Sequence, residues 1–326
     1  MAVADALGLS TEQLADRLVP DLGLDADGSV VLDYGPRRFT VGFDEQLKPF
    51  VADPDGTRRK VLPKPGAKDD PDLAPHAYQL FSGLKKDVKT VAADQVRRLE
   101  RAMVAGRRWS AAEFTEFFAG HPLLWHLVRR LVWGRYEEGE LVGSFRLAED
   151  RTLADVEDNA LTLPEGATVG VAHPLHLDAA LEPWGELFAD YEILQPFPQL
   201  GRQVLALTAE DRAGTSLERF TGIEVPVGRV LGLVHRGWER GTPQDAGVEP
   251  WITRPLPDGR VLVASLDPGI AVGAVDVLPE QKLTEVWLTD NSGYYWSNHQ
   301  KRHAFADVDP VSASEFLADL TMLTAR

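Results

Sequence analysis

The apolar positions along the chain change their period part-way through. Ser10-Thr-Glu-Gln13 reads as a capping box, and Leu14, Leu18 and Val19 follow on one side. This predicts a short helix at about 11–19, ended by Pro20. Residues 29–34 and 39–43 read as two strands, joined by the turn Gly35-Pro36-Arg37-Arg38, which predicts a hairpin. Val51 to Pro75 is rich in Pro, Asp, Gly and Lys and reads as an exposed connector. It divides a small N-terminal segment (1–70) from a main domain (71–326).

From about 76 to 133 the period is helical. Val88, Ala92, Val96, Leu99 and Met103 form one apolar face, and Gly106 suits the helix end. Ser110-Ala-Ala-Glu113 is a second capping box, opening a helix with Phe114, Phe117 and Phe118. Gly120-His121-Pro122 breaks it. Leu123, Leu124, Leu127, Val128, Leu131 and Val132 then predict a deeply buried helix. Strand-like runs follow at 141–147, 168–172, 190–195, 203–208, 229–238, 260–266 and 283–289. Asp178 can cap a helix bearing Leu181, Trp184 and Phe188, and Ser312 to Leu323 reads as a last helix. Helices grouped before strands predict an α+β fold, with a helical cluster at about 76–133 and a mixed, mainly antiparallel β region after it.

Composition narrows the function. The chain has 326 residues, no cysteine and a formal charge of −16. Without cysteine there is no thiolate nucleophile, no disulfide and no Cys-ligated metal. No apolar run approaches the roughly 20 residues of a membrane helix. The first ten residues lack the basic stretch of a signal peptide. A cytoplasmic protein without membrane contact is therefore expected. The charge is uneven: residues 151–326 carry 13 basic and 26 acidic side chains, whereas residues 57–135 carry 16 basic and 8 acidic. Bulk acidity argues against nucleic acid as the main partner. The basic segment is expected to dock on the acidic half.

The phosphate-loop, dinucleotide-binding, nucleophile-elbow and zinc-protease patterns are absent. Asp25-Ala-Asp27-Gly28 lacks the carboxylates of a calcium loop and reads as a turn. The expectation leans away from an enzyme, with no cofactor and no metal centre.

Four clusters survive as candidates. His173-Pro-Leu-His176 ends a strand-like run, and its imidazoles either contact a ligand or satisfy loop backbone. Asp190 leads into Gln195-Pro-Phe-Pro-Gln199, whose stiffened loop presents two amides able to donate and accept. With Arg146, these residues make a candidate ligand site. Arg97, Arg101, Arg107, Arg108 and Trp109 form a basic, stacking-capable cluster suited to an acidic partner. There Asp94 can pair with Arg98 within the helix. Tyr294, Tyr295 and Trp296 lie in an aromatic, polar loop of the kind found at protein interfaces.

Several short runs together resemble the bacterial MolR-like domain, named after a molybdate metabolism regulator. They are Gln95-Val-Arg-Arg-Leu-Glu100, Arg107-Arg-Trp109, His121-Pro-Leu-Leu and Leu131-Val-Trp-Gly134, continued by Phe145-Arg146, Val171-Ala-His-Pro-Leu175, Gln195-Pro-Phe197 and Gly237-Trp238. The resemblance implies the C-terminal portion of a longer regulatory protein and brings no catalytic residues. The resulting expectation is a regulatory or scaffold module acting through protein–protein contact. The alternative is a small-ligand or oxyanion sensor, or an enzyme of unknown chemistry, centred on His173, His176, Gln195 and Gln199.

Overall fold

The computed structural model describes residues 6–59, 61–290, 295 and 301–325. It contains two compact units. The first comprises Met1–Met103, Arg107–Ala172 and His176–Leu200, and the second Val104–Gly106, His173–Leu175 and Gly201–Arg326. The fold is α+β with antiparallel sheets. Among the described residues no helix is long and apolar enough to cross a membrane.

In the first unit, helix α1 (Thr11–Arg17) starts at Ser10 with both bonds of the capping box formed. Strands β1 (Val30–Asp33), β2 (Arg38–Phe43), β3 (Pro49–Ala52) and β4 (Arg58–Arg59) form an antiparallel meander, which includes the expected hairpin. Helix α2 (Leu73–Val104) carries Phe81, Leu84, Val88, Leu99 and Met103 inward. A six-stranded sheet takes its strands in the order β5 (Trp109–Ser110), β10 (Thr168–Val171), β6 (Trp133–Glu137), β7 (Glu140–Leu147), β8 (Leu153–Ala154) and β9 (Ala160–Leu161). Helix α3 (Ala111–Phe114) opens on the second capping box and continues as a π-helical turn, Thr115–Ala119. Trp109, Phe114, Phe118, Trp133 and Phe145 make an aromatic core, with Phe114 packing edge-on to Trp133 at 4.8 Å and to Phe145 at 5.6 Å.

The buried stripe at 123–132 is not one helix. Only α4 (Trp125–Val128) is helical there, and Trp133 already belongs to β6. Leu131, Val132 and Trp133 are all fully buried. An apolar run enclosed on every side has no polar face from which its period can be read. The expected strand at 190–195 is also absent: helix α5 (Leu181–Asp190) ends there, and Glu192 turns the chain at φ 54°.

The basic cluster finds its counter-charge inside this unit. Arg98 reaches Asp16 at 2.7 Å and Glu12 at 3.1 Å, Arg107 also pairs with Asp16, and the Trp109 indole donates to Asp16 at 2.7 Å. The partner of Arg98 and Arg107 is therefore α1, not the acidic half. Asp94 pairs with Arg97 instead of Arg98.

In the second unit, β11 (Glu224–Pro226), β15 (Glu280–Asp290), β14 (Arg260–Ala271), β13 (Val248–Pro255) and β12 (Glu239–Arg240) form a sheet in that order, and β16 (Arg302–His303) pairs with β15. Both faces of this sheet are buried. Ile252, Leu262, Ala264, Val286 and Leu288 join the main core, and the alternating Trp251, Val261, Val263 and Trp287 form a second cluster with Tyr295. Helix α7 (Pro310–Thr324) is capped by Asp309 and packs Phe316, Leu317, Leu320 and Leu323 into the main core. The strand expected at 229–238 is helical instead, as α6 (Val227–Gly232) followed by a 3-10 turn, Leu233–Arg236. Val227, Val230 and Leu233 recur every three residues and are buried, so packing overrides their β preference. Residues 203–207 have no regular structure.

Helix α7 also carries charge into the core. Asp319 is 1% exposed, accepts from the Trp238 indole at 2.8 Å, and pairs with Arg236 and Arg254. Glu315 takes a two-point contact from Arg202, at 2.6 and 2.7 Å. Burial opposes the Glu315 charge, but hydrogen bonds from Arg202 and His173 outweigh it and hold its pKa at about 2. Asp319→Ala strands the buried Arg254 guanidinium and is expected to destabilise the protein by about 3–5 kcal/mol, read as a shifted midpoint in urea. A loss below about 1 kcal/mol would show that the cluster contributes little.

Candidate functional site

The site forms where the strand pleat of β7 turns a charged side chain away from the aromatic core. Phe145 points into that core, so its neighbour Arg146 emerges on the opposite face. Arg146 donates to Asp158 at 2.6 Å, and its guanidinium lies 4.8 Å from the centre of the Tyr191 ring. The Tyr191 hydroxyl donates to the same carboxylate. These two bonds hold Asp158 below the usual carboxylate range. Arg146 is only 8% exposed, and its Nε is buried without a hydrogen-bond partner.

Two further arginines follow α4. Arg130 donates to the carbonyls of Leu194 and Glu45, at 2.5 and 2.8 Å. Arg129 pairs with the Glu45 carboxylate at 2.7 Å and lies over the Trp125 ring. Together with Tyr191 and Ile193, these three arginines line a cavity of about 370 Å³. Glu45, Glu149 and Asp150 also line it. The Glu45 and Glu149 side chains are 56% and 83% exposed, and the Asp150 carboxylate is held by Thr152. The buried charges of the cavity are thus cationic and the exposed ones acidic.

A second cavity, of about 470 Å³, adjoins it and shares Arg129 and Glu45. Trp125, His126, Phe50, Arg58 and Gly28 contribute to its lining. The Arg58 guanidinium stacks on Phe50 at 3.8 Å. Gly28 has φ +82°, and a β-carbon there would come within 2.7 Å of the Pro122 carbonyl oxygen. That position therefore requires glycine on two counts. His126 Nδ1 and Trp125 Nε1 are both buried without partners. Burial, helped by the charges of Arg129 and Arg151, pushes the His126 pKa down to about 4.

The sequence candidates are distributed differently. Gln199 is fully buried; it donates to the Val132 and Ala172 carbonyls at 2.7 Å each and accepts from the Val132 amide. Gln195 donates to Gln199 and accepts from the Leu200 amide. The structure thus brings the two glutamines together as a brace on the backbone. His176 meets the Tyr136 hydroxyl at 3.1 Å, and Asp190 is exposed at the end of α5. His173 belongs to the second unit, where it is buried against Glu315. Of the six ligand candidates, Arg146 alone lines either cavity. Among the described residues no group of three or more His, Asp or Glu could hold a metal ion.

Of the partner candidates, Arg107 and Trp109 are engaged with Asp16, Arg108 stacks on Tyr136 at 3.5 Å, and Arg97 and Arg101 are exposed on α2. Tyr295 is buried against Trp251. Tyr294 and Trp296 lie outside the described residues. Sequence reasoning missed Trp125, His126, Arg129, Arg130 and Tyr191 as site residues. The available signal was the Arg129-Arg130 pair interrupting an apolar stripe.

The His126 shift sets a pH dependence. The unfolded chain takes up a proton near pH 6.5 and the folded one near pH 4. Stability is therefore expected to fall as pH drops through that window, by about 3 kcal/mol in total. His126→Gln is expected to flatten this part of a denaturation-versus-pH curve; an unchanged slope would place the titration elsewhere.

Comparison with known proteins identifies the family. The profile of a domain of unknown function (DUF4132) matches residues 56–238, more than half of the chain. The protein YehI of Escherichia coli (strain K12) is 42% identical over 243 residues, covering 73% of this chain and 20% of that protein. The chain thus spans about a fifth of the length of that curated relative. No solved structure matches. These matches overturn the likeness to the MolR-like domain. The short motifs that suggested it include Phe145 and Trp133 of the aromatic core and the backbone-bracing Gln195, which reflect packing demands and do not identify a family. On the strength of the profile match, the chain belongs to the DUF4132 family.

Proposed function

We propose that the first unit is a ligand-binding regulatory module whose arginine cavity takes a small anion such as a phosphate or carboxylate group. One observation carries this reading: Arg146 is nine-tenths buried, lines a cavity with Arg129 and Arg130, and keeps an Nε–H without a partner. A buried unmet donor is costly, and a charged one gains most from an anionic acceptor. The fork geometry of arginine suits planar carboxylate and tetrahedral phosphate alike. The exposed acidic side chains favour a ligand that enters with one anionic end and leaves a neutral or polar remainder outward.

This reading stands ahead of protein–protein contact through the basic cluster. Arg98 and Arg107 already have carboxylate partners in α1 and lose them if they turn outward. No reaction is assigned, because the arginines, carboxylates and Tyr191 phenol of the cavity do not single out a nucleophile–base pair.

Titration calorimetry with inorganic phosphate tests the proposal. The wild-type chain is expected to bind, and Arg146→Met to bind at least about tenfold more weakly, as the loss of one charge-assisted hydrogen bond requires. Arg146→Lys, which keeps the charge but loses the fork, is expected to lie between the two. Equal affinity in all three proteins, each shown folded by its thermal transition, would remove Arg146 from the site.

A further inference from the structure

The second cavity has chemistry that an inorganic anion does not use. It is lined by the indole of Trp125, the imidazole of His126 and the Phe50 ring with Arg58 stacked on it. Two polar atoms of these lining residues, Trp125 Nε1 and His126 Nδ1, are buried and unpartnered. His126 is 5% exposed. Indole nitrogen only donates, whereas a neutral imidazole nitrogen donates or accepts according to its tautomer. An aromatic lining whose rings carry a donor and a donor-or-acceptor is complementary to a flat heterocycle bearing both carbonyl and ring-nitrogen groups.

The two cavities meet at the Arg129–Glu45 ion pair, which lines both. The Glu45 side chain is 56% exposed, so the divide reaches the surface and a ligand can pass over it. Each cavity falls in the usual size range of small-molecule sites. One side offers buried guanidinium groups and the other offers rings and unmet hydrogen-bonding atoms.

We infer that the ligand is a nucleoside phosphate, with its phosphate among Arg129, Arg130 and Arg146 and its base against Trp125 and His126. This rests on the anion-binding reading and adds the identity of the group beyond the anion. Gly28 lies against the same two rings: a β-carbon there would be in van der Waals contact with Trp125 Nε1 at 3.4 Å and His126 Nε2 at 3.6 Å.

The test compares inorganic phosphate with the 5′-diphosphates of adenosine, guanosine, cytidine and uridine on the full chain. At least one nucleotide is expected to bind about tenfold or more tightly than phosphate, equivalent to one added good contact. Trp125→Phe and His126→Phe are expected to lower nucleotide affinity about tenfold and leave phosphate affinity unchanged, whereas Arg146→Met weakens both. A measurement on the unaltered protein covers the case in which either ring variant unfolds. With ¹⁵N-labelled tryptophan, one indole resonance, identified as Trp125 by its loss in Trp125→Phe or in the more conservative Trp125→His, is expected to shift with nucleotide and not with phosphate. Phosphate binding with no nucleotide preference, or an indole that ignores the nucleotide, overturns the inference and leaves the anion site standing. Absence of binding by phosphate and by every nucleotide overturns both.

Discussion

A guanidinium group placed under a sheet must find acceptors for all of its N–H bonds, because each one left unmet costs most where water is excluded. Arg146 is in that position. The pleat that buries Phe145 in the aromatic core sends Arg146 to the other face of β7, where Asp158 and Tyr191 hold one end of it. The Nε–H remains over, on a residue that lines a cavity with Arg129 and Arg130. The proposed anion site and its extension toward Trp125 and His126 both follow from that leftover donor and its surroundings.

The second unit shows how arginines are held when the fold itself supplies buried carboxylate acceptors. Arg202 forks onto Glu315, and Arg236 and Arg254 converge on Asp319, all through one helix with the carboxylates four residues apart. That spacing sets both acids on one side of α7, while Phe316, Leu320 and Leu323 anchor the helix in the core. Paired charges of this kind fix the packing register of a helix. Arg146 also has a carboxylate within the fold, Asp158, but its buried Nε–H is left without an acceptor.

Much of the local structure was legible in the sequence, because short-range chemistry dictates it. Both serine capping boxes form as their residues require, the hairpin at Gly35 follows from its turn residues, and the helix expected at Ser312–Leu323 follows from its apolar residues. Legibility failed where burial surrounds the chain. Leu131 to Trp133 enter a strand, and Val227 to Leu233 wind into a helix, because only tertiary packing decides the conformation of an all-apolar run. The site was harder still. Arg146 is a candidate from the sequence, but its companions Arg130 and Tyr191 lie 16 and 45 residues away along the chain, and no spacing announces their meeting. His173 and Gln199 attract notice as polar residues in apolar stretches, yet both are spent on satisfying buried partners.

The central claim is that Arg146 holds an unmet donor for an incoming anion. Nitrogen-15 spectroscopy of the arginine Nε–H groups reads that atom directly, with the Arg146 signal assigned by its loss in Arg146→Lys. On adding inorganic phosphate, the Arg146 Nε–H signal is expected to move, while that of Arg254, held on Asp319, stays in place. A phosphate titration that leaves the Arg146 signal where it began would contradict the account.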